Sequence, residues 1–424
     1  MTNHAETGTA NRRLRRILNF SFCFSLALGL LLWILAQRSW LLSGSWRSVY
    51  GITEWMINYQ AGFVRRGLPG EILFVIGKRT SLDIGWLVLL LSLALYSVYF
   101  VLMVRETRGK LPLWALCSAP LLGFPVYSGD IIRKDVLLLL LLLASAQIIA
   151  KAAVSVWRQL LIATLAIAGL LSHESYLFFA IPACCLIDLL LTWNSQGRLG
   201  SLSKISFWSL AWLPPLAVSG IVLVKRATDL KALLILDSWN PLTPASAERS
   251  SFHGALYWLG KSPRYALERT HKHLSSIHFG IPLWLLVVIA LVAAGIAIAL
   301  LVSSGDDRAK FSFFLVVQIL LMFPIFSSAL DQGRWIFLAI NSALILTISF
   351  TDVRLPVPLE TISTVVEKFR RIVPPSLCVL ILFVWGFPIE DLSLQGWLSS
   401  TPLFLVPIKV YLHLFPHGNI AALL

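Results

Sequence analysis

The feature that most constrains this chain is a series of apolar runs approaching the roughly 20 residues an α-helix needs to cross a bilayer. They fall at Ile17–Ala36, Ile84–Val104, Leu111–Tyr127, Val136–Ala150, Gln159–Leu171, Tyr176–Trp193, Ile205–Val224, Ile281–Val302, Phe311–Leu330, Trp335–Phe350 and Pro374–Pro388. Only 13% of residues are charged and 57% are hydrophobic, whereas soluble proteins carry about 25% charged residues. The expected fold is therefore all-α, a polytopic integral membrane helix bundle of about eleven transmembrane helices, with a range of roughly 10–12. Residues 1–424 are read as a single transmembrane domain, in which Gly396–Leu424 adds a span or lies along the interface. Arg12, Arg13, Arg15 and Arg16 precede the first run. That run is too long for a signal peptide and lacks a small-residue cleavage site, which predicts an uncleaved span with a cytoplasmic N-terminus.

Alternation from that start assigns Arg105–Lys110, Lys151–Arg158, Asn194–Lys204, Ser303–Lys310 and Thr351–Arg371 to the cytoplasm. All bear Lys or Arg, as the positive-inside rule requires. The opposite face receives residues 37–83, a first periplasmic loop with amphipathic helices, and residues 225–280, a large periplasmic loop, together with 128–135, 172–175 and 331–334. Several spans are short, which fits helices buried among others. No internal repeat is evident, so an inverted-repeat transporter gains no support. The five cysteines, Cys23, Cys117, Cys184, Cys185 and Cys378, lie inside apolar runs as small hydrophobes, which argues against a disulfide framework or a zinc site. The formal charge of +14 would point to nucleic acid in a soluble protein, but no soluble domain here is large enough to present such a surface. Membrane lipids and an anionic lipid substrate account for it better, and nucleic acid is not an expected partner.

The compact clusters of polar residues all fall on the predicted outer face. Glu54 and Asn58 lie four apart, as on one helix face, with Met56 and Ile57 toward lipid and Trp55 and Tyr59 at headgroup level. Tyr59 and Gln60 lead into Gly62-Phe63-Val64-Arg65-Arg66-Gly67, where glycines permit a tight backbone and paired guanidinium forks suit a pyrophosphate. Asp130, Arg133, Lys134 and Asp135 precede a Leu-rich run, with the cations placed for phosphate and the carboxylates placed to orient them. Asp135 equally complements a helix N-terminus. Ser172-His173-Glu174-Ser175 forms a tight hairpin in which burial would tune His173 and Glu174 for proton transfer, or in which Ser172 simply caps a helix. Asp331 and Arg334 open the tenth run, Asp331 as a cap and Arg334 reaching into a cavity. In residues 225–280, Trp239, Tyr257, Trp258 and Tyr265 suit sugar stacking or the interface. His271 and His273 are two apart, which is not helical metal spacing, and no Walker loop, GxSxG elbow or HExxH occurs. No metal or cofactor is expected.

These residues carry a resemblance. A many-span chain with its charged loop after the first span resembles the GT-C superfamily of lipid-dependent glycosyltransferases. Ile132-Arg133-Lys134-Asp135 before a Leu-rich helix, followed by His173-Glu174-Ser175 in a hairpin, is similar to the exopolysaccharide polymerase group (EpsG-like, Wzy-type). The likeness is continuous over about residues 130–180 and looser elsewhere. It implies transfer of a sugar from a polyprenyl-phosphate-linked donor to a glycan acceptor, at the periplasmic face of a bacterial inner membrane. Arg133 and His173 would contact donor phosphate or acceptor, and Glu54 would stand where these enzymes keep an acidic residue, although this chain has Glu in place of an Asp motif. On this reading Glu54, His173 and Glu174 are catalytic. Arg65, Arg66, Arg133, Lys134, Asp135, Asp331, Arg334, Tyr59 and Gln60 hold the substrate. The competing classes are a lipid-linked oligosaccharide transporter and a membrane acyltransferase using His173 as base.

Overall fold

The computed structural model describes residues 3–43, 49–194, 201–225, 227–242, 254–278, 280–353, 355 and 359–385; the expected final segment Gly396–Leu424 lies outside them. In chain order the helices are α1 (Asn3–Ser43), α2 (Tyr50–Trp55), α3 (Gly67–Thr80), α4 (Ile84–Glu106), α5 (Leu113–Leu116), α6 (Phe124–Tyr127), α7 (Asp135–Lys151), α8 (Val156–Ser172), α9 (Tyr176–Phe179) and α10 (Ile181–Asn194). They continue with α11 (Ser201–Val224), α12 (Asp229–Ser238), α13 (Gly254–Leu259), α14 (Pro263–Leu274), α15 (Leu283–Leu301), α16 (Gly305–Ser328), α17 (Gln332–Ser349), α18 (Leu359–Ile372) and α19 (Pro375–Val384). A two-residue hairpin, Ile277–His278 against Ile281–Pro282, is the sole strand pairing among the described residues.

Among the described residues six helical segments are long and apolar enough to cross a membrane: Arg13–Leu35, Ile84–Glu106, Tyr176–Trp193, Leu202–Val224, Leu283–Leu301 and Gly305–Ser328. They carry the outward apolar surface expected in lipid. Phe20, Leu90, Val101, Leu213, Leu320 and Phe323 all stand more than half exposed, a pattern that water would penalise. Three further predicted runs, Leu111–Tyr127, Gln159–Leu171 and Pro374–Pro388, correspond to the shorter apolar segments Leu113–Tyr127, Val156–Ser172 and Pro375–Val384. The remaining two became α7, and α17, which is buried along its whole length. Around α17 pack α7 and α16, with α8 bridging α7 and α11.

Two runs are interrupted: Tyr176–Trp193 divides at Ala180 into α9 and α10, and the other breaks more deeply. Leu111–Tyr127 breaks into α5, a π-helical turn at Ala119–Gly123 and α6, with Leu121 at φ −116°, ψ −124°. Pro120 lacks an N–H and cannot continue the helical ladder. The carbonyls freed by the break are satisfied from neighbouring helices. Tyr96 Oη donates to the Leu122 carbonyl at 2.7 Å, and Asn341 Nδ2 donates to that of Pro120 at 3.2 Å. Irregular backbone in a membrane protein survives where other helices re-satisfy it in this way. Tyr99 Oη to Asn341 Oδ1 (2.9 Å) and Gln318 Nε2 to the Phe179 carbonyl (2.9 Å) extend the same interhelical bonding.

The bundle has two polar ends. Lys110, Ser303, Lys310 and Thr351 meet at one: Lys110 Nζ donates to Thr351 Oγ1 at 2.8 Å, Lys310 Nζ to the Thr351 carbonyl at 2.6 Å, and Ser303 N–H to the Lys110 carbonyl at 2.8 Å. The polar clusters at residues 54–66, 129–135, 172–175 and 331–334 meet at the other.

Candidate functional site

The first expected loop folds back on itself. α2 stops at Trp55, so Glu54 and Asn58 do not share a helix face; Asn58 Nδ2 instead donates to Ser238 Oγ of α12 at 2.9 Å. Met56, Ile57 and Trp55 are buried in protein and do not face lipid, because the described part of residues 225–280 forms helices that cover them. Trp239 Nε1 donates to the Met56 carbonyl at 2.8 Å, and the Ala255 N–H to Thr53 Oγ1 at 2.9 Å. Trp239 is therefore packed inside, unavailable for sugar stacking. Tyr257, Trp258 and Tyr265 form their own aromatic group, with Lys261 and Arg269 over its rings. Gly70 lets α3 cross directly over α2; a Cβ there would run into the Ile57 carbonyl.

The turn before α3 places the paired arginines. Arg66 adopts a left-handed conformation (φ 67°) as N-cap, a region non-glycine residues rarely occupy unless their surroundings hold them there. Its guanidinium bonds both oxygens of Glu174, through Nε to Oε2 at 2.6 Å and through NH2 to Oε1, while its carbonyl accepts from Lys134 Nζ at 3.0 Å. Arg65 NH1 lies 3.3 Å from the same Glu174 carboxylate. Glu71 takes the Gln60 side-chain amide and the Tyr59 backbone N–H, each at 2.8 Å, while the Tyr59 ring stacks on Phe63 and lies against Gly67.

Segment 129–135 is held by two indoles. Trp33 Nε1 donates to the Gly129 carbonyl at 2.8 Å and Trp55 Nε1 to that of Ile132 at 2.5 Å. Arg133 then bridges Asp331 Oδ2 (2.7 Å) and Asp130 Oδ1 (3.3 Å), with its guanidinium 4.5 Å over the Tyr50 ring. Lys134 is fully buried and turns away from any opening toward the carbonyls of Arg66 and Ser172 and the Trp55 ring. Asp135 opens α7 but serves chiefly Arg334, whose Nε reaches both its oxygens at 2.7 Å. Arg334 is thus locked in place; its NH1 stands 3.5 Å from Asp331 and its NH2 3.6 Å from Glu54. Asp331 makes no side-chain cap of α17. Ser172 likewise is no N-cap: it ends α8, its hydroxyl bonded to the Ala168 carbonyl.

Two layers result. Around the rim lie Arg65, Arg66, Glu174, Asp130 and Asp331, with side chains 13–24% exposed. Beneath them Glu54, Lys134, His173, Arg133 and Arg334 are almost wholly buried. Five cations (Arg65, Arg66, Arg133, Lys134, Arg334) face five carboxylates (Glu54, Asp130, Asp135, Glu174, Asp331), so the cluster is formally neutral, as burial demands.

At its centre Glu54 is 0% exposed, yet none of the described side chains completes a hydrogen bond to either of its oxygens. Its nearest nitrogens are His173 Nε2 at 3.3 Å and Arg334 NH2 at 3.6 Å. Ser175 N–H donates to His173 Nδ1 at 3.1 Å, which puts the ring proton on Nε2, facing Glu54. Burial would raise the Glu54 carboxyl, but Arg334, His173 and Lys134 together hold it well below the usual range. Burial, reinforced by Arg66, pushes the His173 imidazole down to about 4. Burial also pushes the Lys134 ammonium down to about 7, and the Asp130 carboxyl up to about 6 despite Arg133. Near neutral pH the floor therefore pairs a Glu54 carboxylate with a neutral His173. No three His, Cys, Asp or Glu side chains converge as metal ligands among the described residues.

A second buried ion pair was not anticipated. Arg158 NH2 meets Asp188 Oδ1 at 2.8 Å, Trp212 Nε1 donates to Asp188 Oδ2 at 2.9 Å, and Arg158 also reaches the Ile149 carbonyl at 3.1 Å. The signal for it was Asp188, a lone acid within an apolar run. It joins α7, α8, α10 and α11 at the far end of α8 from His173.

The fold defines the class: an α-helical membrane protein with a buried ionic cluster at one end of the bundle. No protein-family model, curated protein or solved structure matches the chain.

Proposed function

We propose that this chain is a membrane glycosyltransferase or polysaccharide polymerase, transferring sugar from a polyprenyl-phosphate-linked donor at the periplasmic face of a bacterial inner membrane during cell-surface polysaccharide synthesis. The observation that carries the reading is Glu54, a buried carboxylate with incomplete hydrogen bonding, set between a neutral imidazole and a guanidinium where four separate segments converge.

The acceptor hydroxyl attacks the anomeric carbon as the bond from that carbon to the phosphate oxygen breaks. The hydroxyl proton passes to Glu54, and the electron pair leaves with the phosphate. General-base assistance of this kind contributes about 10²–10⁴-fold. The leaving phosphate needs cations, and these are already engaged: Arg65 and Arg66 with Glu174, Arg133 with Asp331. Donor binding is thus an exchange, with phosphate oxygens taking the place of a rim carboxylate. Arg65 is the most exposed of these guanidinium groups and is the first contact.

Glu54→Gln preserves size and removes the proton acceptor. In membranes containing a polyprenyl-phosphate sugar, it should form product at least 100-fold more slowly at unchanged expression. Turnover at the wild-type rate sinks the assignment. A lipid-linked oligosaccharide transporter is the second reading, favoured by Arg158–Asp188, because ionisable groups inside spans mark transport pathways. Lipid flipping that is lost in Asp188→Asn and kept in Glu54→Gln would select it.

A further inference from the structure

The end of the bundle away from the ionic cluster carries a feature that the proposed function does not use. α18 repeats its apolar residues at helical spacing, Ile362, Val365, Val366, Phe369 and Ile372, and Val373 follows directly after its end. Val366 and Val373 pack on the core, but Val365 and Phe369 are each 48% exposed and Ile372 is 78% exposed. Along the same helix run Lys368, Arg370 and Arg371. Of its two acids, Glu367 is already taken by Arg308 NH1 at 2.5 Å and lies 3.4 Å from Arg370 NH1. A helix with an apolar edge flanked by basic residues lies in the headgroup plane of a bilayer.

Beside its last turn, between the ends of α15, α18 and α19, is a cavity of about 220 Å³. Leu300, Leu301, Val373 and Cys378 line it, together with Ser303 and Arg370. At about 30 Å³ per water, this is room for a small polar group and not for an acyl chain or an oligosaccharide. An apolar cavity with one guanidinium and one hydroxyl, opening beside a basic amphipathic helix, is complementary to a single anionic headgroup.

We propose that this cavity and the last turn of α18 bind the headgroup of an anionic phospholipid. Arg370 takes the phosphate, Lys368 and Arg371 add surface charge, and Val365, Phe369 and Ile372 sit among the upper acyl carbons. The inference is independent of the proposed function, since none of these residues belongs to the ionic cluster.

The test is native mass spectrometry of the full-length chain released from nanodiscs holding equal phosphatidylglycerol and phosphatidylcholine. The wild type should retain phosphatidylglycerol preferentially. Arg370→Gln should cut that preference by about fivefold, the effect of one basic residue near an anionic surface, and Lys368→Gln/Arg370→Gln/Arg371→Gln should abolish it. Cys378→Phe fills the cavity and keeps every charge, so it too should lose the bound lipid; Ser303→Trp makes the same test from the opposite wall if Cys378→Phe does not fold. Equal retention of both lipids by the wild type overturns the proposal, leaving neutral lipid or residues 386–424 as the occupant. Undiminished preference in the folded cavity-filling variant also overturns it, leaving charge attraction alone.

Discussion

Glu54, His173 and Glu174 share a short stretch of space but carry different burdens. On the proposed function Glu54 and His173 would carry the chemistry, whereas Glu174, which pairs with Arg65 and Arg66, would hold them until a phosphate arrives. His173→Asn retains an acceptor for the Ser175 N–H and removes the N–H facing Glu54. It should lower turnover by 10-fold or more, with donor KM little changed, as measured by initial rates over a donor series. Glu174→Gln weakens the carboxylate's hold on the arginines, so it should lower donor KM several-fold; a raised KM would mean that Glu174 orients these cations instead of competing for them. The residue types at these positions were readable from the sequence, because ionisable groups beside apolar runs are costly unless used or paired. Their partners were not. Sequence spacing gave Asp135 to Arg133 and Lys134, yet Arg334, 199 residues away, claims it with a bidentate fork.

At the scale of elements, that fork ties the first turn of α7 to the first turn of α17. Arg334→Met alone strands the Asp135 charge in the core and should destabilise the chain by about 3–5 kcal/mol, while Arg334→Met with Asp135→Leu should recover most of the loss; thermal unfolding in detergent reads both. Gly70→Ala forces a methyl group into the Ile57 carbonyl, and a loss of about 1–3 kcal/mol is expected from overpacking at this crossing. The long apolar runs were legible as helices because hydrophobic length is a local property. Helices were expected in the first loop as well, but not their bounds, since α2 ends where tertiary contacts with α12 and α13 take over its backbone and side chains. The break at Pro120 was foreshadowed by its ring, but its tolerance depends on Tyr96 and Asn341 from other helices.

For the whole molecule, the buried titratable groups set a pH profile. His173 binds a proton near 6.5 when unfolded but only near 4 when folded, so the unfolded state holds more protons between those values. His173 alone therefore adds stability as pH climbs from about 4 to 6.5, by at most about 3 kcal/mol. Asp130, raised to about 6 on folding, removes stability over nearly the same range, so His173→Asn should turn a nearly level limb into a falling one. Lys134 works in the same direction at higher pH: its folded value near 7 lies below its unfolded value of 10.5, so stability rises again from pH 7 upward. A melting temperature that falls from pH 7 upward, or a His173→Asn variant whose acid limb matches the wild type, would contradict this electrostatic picture.

By itself the sequence determined the class of molecule and the inventory of ionisable groups, because hydropathy and charge are summed along the chain. Tertiary structure alone decided which cation meets which carboxylate, which tryptophans lie inside, and where the second ion pair forms. Those outcomes depend on contacts between residues as far apart as Glu54 and Arg334, 280 positions along the chain, and a buried charge takes whichever partner the packing delivers within a few ångströms.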